Sequence, residues 1–166
     1  MSENKKINVA HALRLAGFSE LACQFAAYIE RVEQSNDHVV AITAGLLTEA
    51  VSQGHVCLNL MRMDTLFQSV SRYLPEQIDE WKSHLQKSNV VGGSGDYRPL
   101  IMGDDGLLYL YRHWHDKQNV ASAIRQRNQL VERVDFDVVK QDMTEWPKSI
   151  EGIDWQKVAV LMALTH

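Results

Sequence analysis

Two apolar stripes at helical spacing, set either side of a short polar break, constrain this chain more than any other feature. After Ser19, which can cap a helix, Leu21, Phe25, Tyr28, Ile29 and Val32 fall on one helical face. Asn36-Asp37 interrupts the pattern. Val40, Ala44, Leu47 and Val51 then form a second stripe, closed by Gly54, a residue that tolerates the left-handed backbone at helix ends. Residues 1 to about 53 therefore read as helical, and so short a link predicts two helices packed antiparallel.

Beyond Gly54 the punctuation changes. HVCLNL, residues 55–60, reads as a short extended segment, and Asp64 can cap a helix through Leu66, Val70 and Tyr73. Pro75 is expected to open the next helix, because proline suits a first turn and drives Leu74 out of helical geometry. Ile78, Trp81 and Leu85 would form its inner face. VVGGSGDYRP, residues 90–99, holds three glycines within four residues and reads as the flexible part of the chain, since glycine is costly to fix inside an element. A β-hairpin follows: PLIM, a GDDG turn at 103–106, then LLYLYR. From Asp116 a helix resumes through Val120, Ala123, Ile124 and Val131, with Lys117, Arg125, Arg127 and Arg133 on its outer face. An acidic segment then runs to Trp146-Pro147. In the closing stretch, IDWQKVAVLMALTH, Asp154 can cap a helix that is apolar at every position from Val158 to Leu164 and so lacks a solvent face. The expected class is mainly α, a small helical domain with one β-hairpin.

At 166 residues and 45% hydrophobic, the chain can bury a core as one domain or two small ones. A net charge of −4 weighs against a dedicated nucleic-acid-binding module, which carries a basic surplus. The apolar runs fall far short of a bilayer span, and MSENKKINVAHAL lacks the features of a signal peptide. With only Cys23 and Cys57 there is no disulfide framework, and the cytoplasm is the expected compartment.

Few residues suggest chemistry. His113 and His115 would share a face on a strand, as would His55 and Cys57, but neither pair has the remaining ligands of a tetrahedral metal site. Asp104-Asp105-Gly106 lacks the alternating oxygens and distal glutamate of a calcium loop and reads as a hairpin turn. Cys57, between Val56 and Leu58, reads as a small buried side chain rather than a nucleophile. VVGGSG has neither the strand-then-helix context nor the Lys-Ser/Thr ending of a phosphate loop. No catalytic residue and no metal ligand is assigned.

Three stretches together carry a resemblance. GHVCLNL, PLIMGDDGLLYLYRHWHDKQNVASAIRQR and DWQKVAVLMALTH resemble the N-terminal domain of RecD, the alpha subunit of bacterial exodeoxyribonuclease V, the RecBCD helicase-nuclease. The resemblance runs from about Ala22 onward. It implies a RecD-like subunit-interaction domain over residues 1–152 and the start of the first helicase motor domain at 153–166, cut before the phosphate-binding Walker A loop. By this resemblance the closing helix would pack on that motor; alone, it would favour weak self-association. Gln156 matches the family's glutamine that reads the adenine of ATP, while also fitting as an ordinary first-turn polar residue. ATP and magnesium, and ATP-dependent 5′-to-3′ helicase activity, would belong to the full-length subunit, and no cofactor to this chain.

The implied role is non-catalytic: docking RecD onto RecC, beside RecB, in the complex that unwinds and degrades double-stranded DNA ends for recombinational repair. Protein docking needs apolar and aromatic anchors, for which Trp81, Tyr109, Tyr111 and Trp114 are candidates, with Arg125 and Arg127 as polar partners; each aromatic fits a core position equally. The alternative is an accessory domain guiding single-stranded DNA to the motor through Arg112, Lys117, Arg125 and Arg127, with the aromatics of YLYRHWH stacking on bases.

Overall fold

The computed structural model describes residues 7–33, 38–61, 65–129 and 154–165 and divides the chain into two compact units, residues 1–116 and 117–166. Asn36-Asp37, Asp64, Val131, Arg133, Trp146-Pro147 and the boundary expected after residue 152 lie outside the described residues.

The first unit opens with three helices: α1 (Val9–Leu15), α2 (Glu20–Glu33) and α3 (His38–Ser52). Asn8 caps α1, its Oδ1 accepting the His11 N–H at 2.9 Å. Ser19 caps α2 as expected, its Oγ accepting the Ala22 N–H at 3.3 Å. The Ser19 N–H and hydroxyl both donate to Glu49 near the end of α3, while Glu30 late in α2 faces His38 at the start of α3. The hairpin is therefore antiparallel. α3 is buried without interruption from Val40 to Thr48 and forms the axis of the core. It ends as the sequence predicts: Gly54 has φ +93, and the Gly54 and His55 N–H groups donate to the Val51 and Ala50 carbonyls.

The stripe expected to bury α2 is only partly the buried one: Ile29 is in the core and Phe25 packs half-buried against it, but the rest is not. Ala22, Cys23, Ala26 and Ile29 face the core, and Leu21, Tyr28 and Val32 face solvent. The reason is close packing of backbones through small residues. A Cβ built on Gly45 of α3 would stand 3.4 Å from the Ala26 Cβ and 2.5 Å from the Leu13 Cδ1, so α2 meets α3 across alanines that larger residues would hold apart.

Two helical expectations around Pro75 also need correction. The helix expected through Tyr73 breaks into α4 (Thr65–Gln68) and a separate 3-10 turn, Ser71–Tyr73. The Ser71 hydroxyl donates to the Gln68 carbonyl, the local competition that makes serine a poor helix-interior residue. Leu74 is extended (φ −116, ψ 152), as proline dictates, but α5 (Ile78–Lys87) starts three positions beyond Pro75, because Gln77 is still extended (φ −95, ψ 129). Trp81 and Leu85 form the inner face of α5 as expected, with Ile78 half-buried.

The strands are β1 (Leu58–Asn59), β2 (Val91–Gly92), β3 (Leu100–Met102) and β4 (Leu107–Leu110), in the order β1-β4-β3-β2. β3 and β4 are the expected hairpin, turned at Gly106 (φ +73), and β1 pairs antiparallel with β4. The glycine-rich stretch is not a loose loop throughout: it supplies β2, an edge strand parallel to β3. Gly92 is there for space, since a Cβ would stand 2.6 Å from the Asp96 Cβ. α6 (Tyr111–Gln129) begins five residues before the expected Asp116, so the return strand ends at Leu110. The early helical turn brings Trp114 back edge-on to Tyr109, ring centroids 5.3 Å apart, and buries both.

In the second unit α6 continues and α7 (Trp155–Thr165) follows the undescribed stretch. Asp154 caps α7 as expected, its Oδ1 accepting from the Gln156 and Lys157 N–H groups at 3.1 and 3.2 Å. The fold is mainly helical with a small four-stranded sheet, and no described helix is long and apolar enough to cross a membrane.

Candidate docking surface

Three residues displaced from the core, with the half-buried Phe25 beneath them, define the first unit's outer helical face. Leu21, Phe25, Tyr28 and Val32 are spaced four, three and four apart, the a/d spacing of a helix-binding seam. Leu21 is 67% exposed, Tyr28 44% and Val32 37%, while Phe25 is half-buried and stacks on Tyr28 with ring centroids 6.3 Å apart. The Arg31 guanidinium lies over the Tyr28 ring at 5.7 Å, covering part of an aromatic that would otherwise stand alone.

The N-terminal end of this face is rimmed by charge. Arg14 donates twice to Glu20, at 3.0 and 2.8 Å, and the Gln24 amide adds a third hydrogen bond at 2.6 Å. The hydrogen bonds from Arg14 and Gln24 hold the Glu20 carboxyl down to about 2, so it is charged at any ordinary pH. At the other wall, the Ser19–Glu49 bonds of 2.9 and 2.6 Å tie α2 to α3 and fix the direction in which the seam points. An apolar stripe with an aromatic centre and a polar rim is the anatomy of a protein–protein contact.

The aromatics singled out from sequence lie elsewhere. Trp81 is 1% exposed, packs against Phe67, and donates its indole N–H to the Thr43 hydroxyl at 2.8 Å. Tyr109 is 3% exposed and donates to Asp105, and Trp114 is 7% exposed. These three occupy core positions, the other environment their chemistry suits. Tyr111 is half-buried between Tyr97, edge-on at 4.7 Å, and His115, stacked at 6.0 Å. Arg125 and Arg127 are exposed on α6, and Gln156 is exposed in the first turn of α7.

The weaker chemical motifs resolve as well. His113 and His115 stand on a helix, where residues two apart point to opposite sides, so the shared face expected on a strand is absent. His55 is exposed, and Cys57 is half-buried against the small cluster of Ile101, Tyr109 and Trp114. Asp105 serves the hairpin turn, accepting the Leu107 N–H at 3.1 Å. Among the described residues no group of three His, Cys, Asp or Glu could hold a metal ion. Cys23 is buried, and that burial pushes its thiol up from the ordinary range.

The exposed face of α2 escaped sequence reasoning because its residues look like core. The signal that could have found it is the small-residue stripe of Ala22, Cys23 and Ala26 on a different face of the same helix, matched by Gly45 in α3.

The family model for the N-terminal domain of RecD, a RecBCD enzyme subunit, matches residues 15–109, more than half of the chain. That span includes all of α2, α3, α5 and the hairpin turn. No curated protein matches the chain.

Proposed function

This chain belongs to the family of RecD N-terminal domains, and from that premise we propose that it is a non-catalytic docking domain that holds RecD on RecC. The complex so assembled, with RecB, unwinds and degrades double-stranded DNA ends for recombinational repair. One observation carries the reading: α2 turns Leu21, Tyr28 and Val32 outward, with Phe25 half-buried at their base, a seam on the order of 300 Å² that a single helix of a partner can cover. The net charge of −4 supports protein docking over phosphate tracking, because few counterions would be released on DNA. In the full-length subunit we assign Gln156 to the adenine of ATP, since its amide donates and accepts at once.

The test is equilibrium binding of the chain to isolated RecC, with Leu21→Glu and Tyr28→Glu as variants. Both side chains are exposed, so folding is unaffected, and each variant should weaken binding at least tenfold, about 1.4 kcal/mol. Wild-type affinity in both variants would remove α2 from the contact.

A second reading, contact with single-stranded DNA, has its own observation. Tyr97 is 87% exposed yet held edge-on by Tyr111, with His115 stacked behind and Arg112 exposed beside them, a small platform for bases. Asp96 and Asp116 flank the same platform, which is why docking ranks first. Steeply salt-dependent oligonucleotide binding lost in Tyr97→Ala would reverse that order.

A further inference from the structure

We propose that the cleft between α5 and the outer edge of β2 takes an extended segment of the subunit on which this domain docks, one residue of which exchanges both backbone hydrogen bonds with Val91. The inference rests on the docking reading and adds to it a second contact, remote in sequence from α2.

The edge of β2 is closed on both sides of Val91 and open at Val91 itself. The Leu100 N–H donates to the Val90 carbonyl at 3.1 Å, and Val91 and Gly92 register with Leu100 and Ile101. In a parallel pair this turns the backbone groups of Gly92 toward β3 and those of Val91 away from it. The neighbouring outward groups are satisfied. The Asn89 carbonyl accepts from the Arg98 guanidinium, and Asp96 clamps Gly93, accepting its N–H at 2.9 Å and donating to its carbonyl at 3.2 Å. The Val91 N–H and C=O have no partner among the described residues, although Val91 is only 7% exposed. An unpaired donor and acceptor on so buried a residue are uncommon, and an antiparallel residue satisfies both at once.

Val91 lines a cleft of about 620 Å³, within the range of roughly 300–1,000 Å³ that ligand sites occupy. Gly93 puts no side chain in the way of an approaching backbone, whereas the space beside Gly92 is already taken by Asp96 and Arg98. Lys82 and Gln86 project from one face of α5, and Asp104 comes from the hairpin turn; neither Lys82 nor Asp104 has an ion pair among the described residues. The fitting segment is therefore extended, with a carboxylate side chain for Lys82 and a cationic one for Asp104.

The test uses the full chain and isolated RecC. The Val91 amide should exchange with solvent more slowly when RecC is bound, by about tenfold or more, as a newly bonded N–H does. Val91→Pro removes the outward N–H without touching the ladder and should weaken RecC binding about tenfold, whereas Val91→Ile, which keeps the backbone, should not. Lys82→Glu and Asp104→Lys should weaken it severalfold and decide the matter if the proline variant does not fold. Unchanged affinity in Lys82→Glu and Asp104→Lys, with a Val91 amide that RecC does not protect, overturns the proposal and leaves the docking reading standing. No binding of the wild-type chain to RecC overturns both.

Discussion

Replacing Thr43 by valine tests the core at the point where the Trp81 indole is held. Thr43 is 0% exposed, accepts the Trp81 indole N–H at 2.8 Å, and donates to the Val39 carbonyl at 2.6 Å. Valine keeps the shape and removes the oxygen, so the variant opens no cavity. It leaves the indole N–H of a side chain 1% exposed without an acceptor, at a cost of about 1–3 kcal/mol. The back-bond to Val39 is also lost, but it competes with the helix and its loss is nearly neutral. Thr43→Val should therefore lower stability by about 1–3 kcal/mol, read by urea unfolding of the full chain followed by far-ultraviolet circular dichroism. Trp81→Phe removes the donor instead, and in the Thr43→Val background it should cost about 1 kcal/mol less than in the wild type, the coupling a double-mutant cycle isolates. A Thr43→Val variant within about 0.5 kcal/mol of wild type would refute the assignment of this bond as the anchor of α5 on α3.

Gly45→Ala places a methyl 2.5 Å from a fully buried Leu13 and should destabilise by about 1–2 kcal/mol despite roughly 1 kcal/mol of gained helix propensity, measured by the same unfolding assay. Glu49→Ala removes the acceptor of both Ser19 bonds and should cost about 1–2 kcal/mol, with faster exchange of the Ser19 amide as the local readout. Glu20 is depressed from 4.5 to about 2, so whatever stability its pair with Arg14 adds is present above 4.5 and lost as pH falls toward 2; Arg14→Gln should return its titration, followed by NMR, toward the ordinary carboxylate range, with little change in Tm because the pair is exposed.

How far the sequence was legible depends on whether a local rule or a packing choice decided each element. Caps and stops were legible: Ser19, Gly54, Leu74 and Asp154 act through the backbone next to them, and each does what its chemistry dictates. The hairpin was legible for the same reason, because Gly103 to Gly106 close the turn locally. Faces and strand partners were not. Helix α2 carries two apolar stripes, and only the small residues of α3 decide that Ala22 and Ala26 go inward. Gly92 looks like a loop residue until Asp96 and Arg98 are seen to fill the space of its missing side chain. Tyr111 starts a helix rather than continuing the strand, and that first turn is what brings Trp114 back to bury against Tyr109. The candidate site inherits that division. Aromatics were sought as anchors, and Trp81, Tyr109 and Trp114 are spent on the core, while the exposed stripe of α2 consists of residues that a one-stripe reading assigns to the interior.

The central claim is that this domain recognises a protein subunit rather than a nucleic acid. Sedimentation of the chain mixed with isolated RecC, repeated from low to high salt and with a single-stranded oligonucleotide in place of RecC, puts the two side by side. The docking account expects a one-to-one complex with RecC that survives high salt, because apolar contacts at Leu21, Phe25, Tyr28 and Val32 carry it, and no complex with the oligonucleotide. A complex with the oligonucleotide that dissolves as salt rises, and none with RecC, would contradict it.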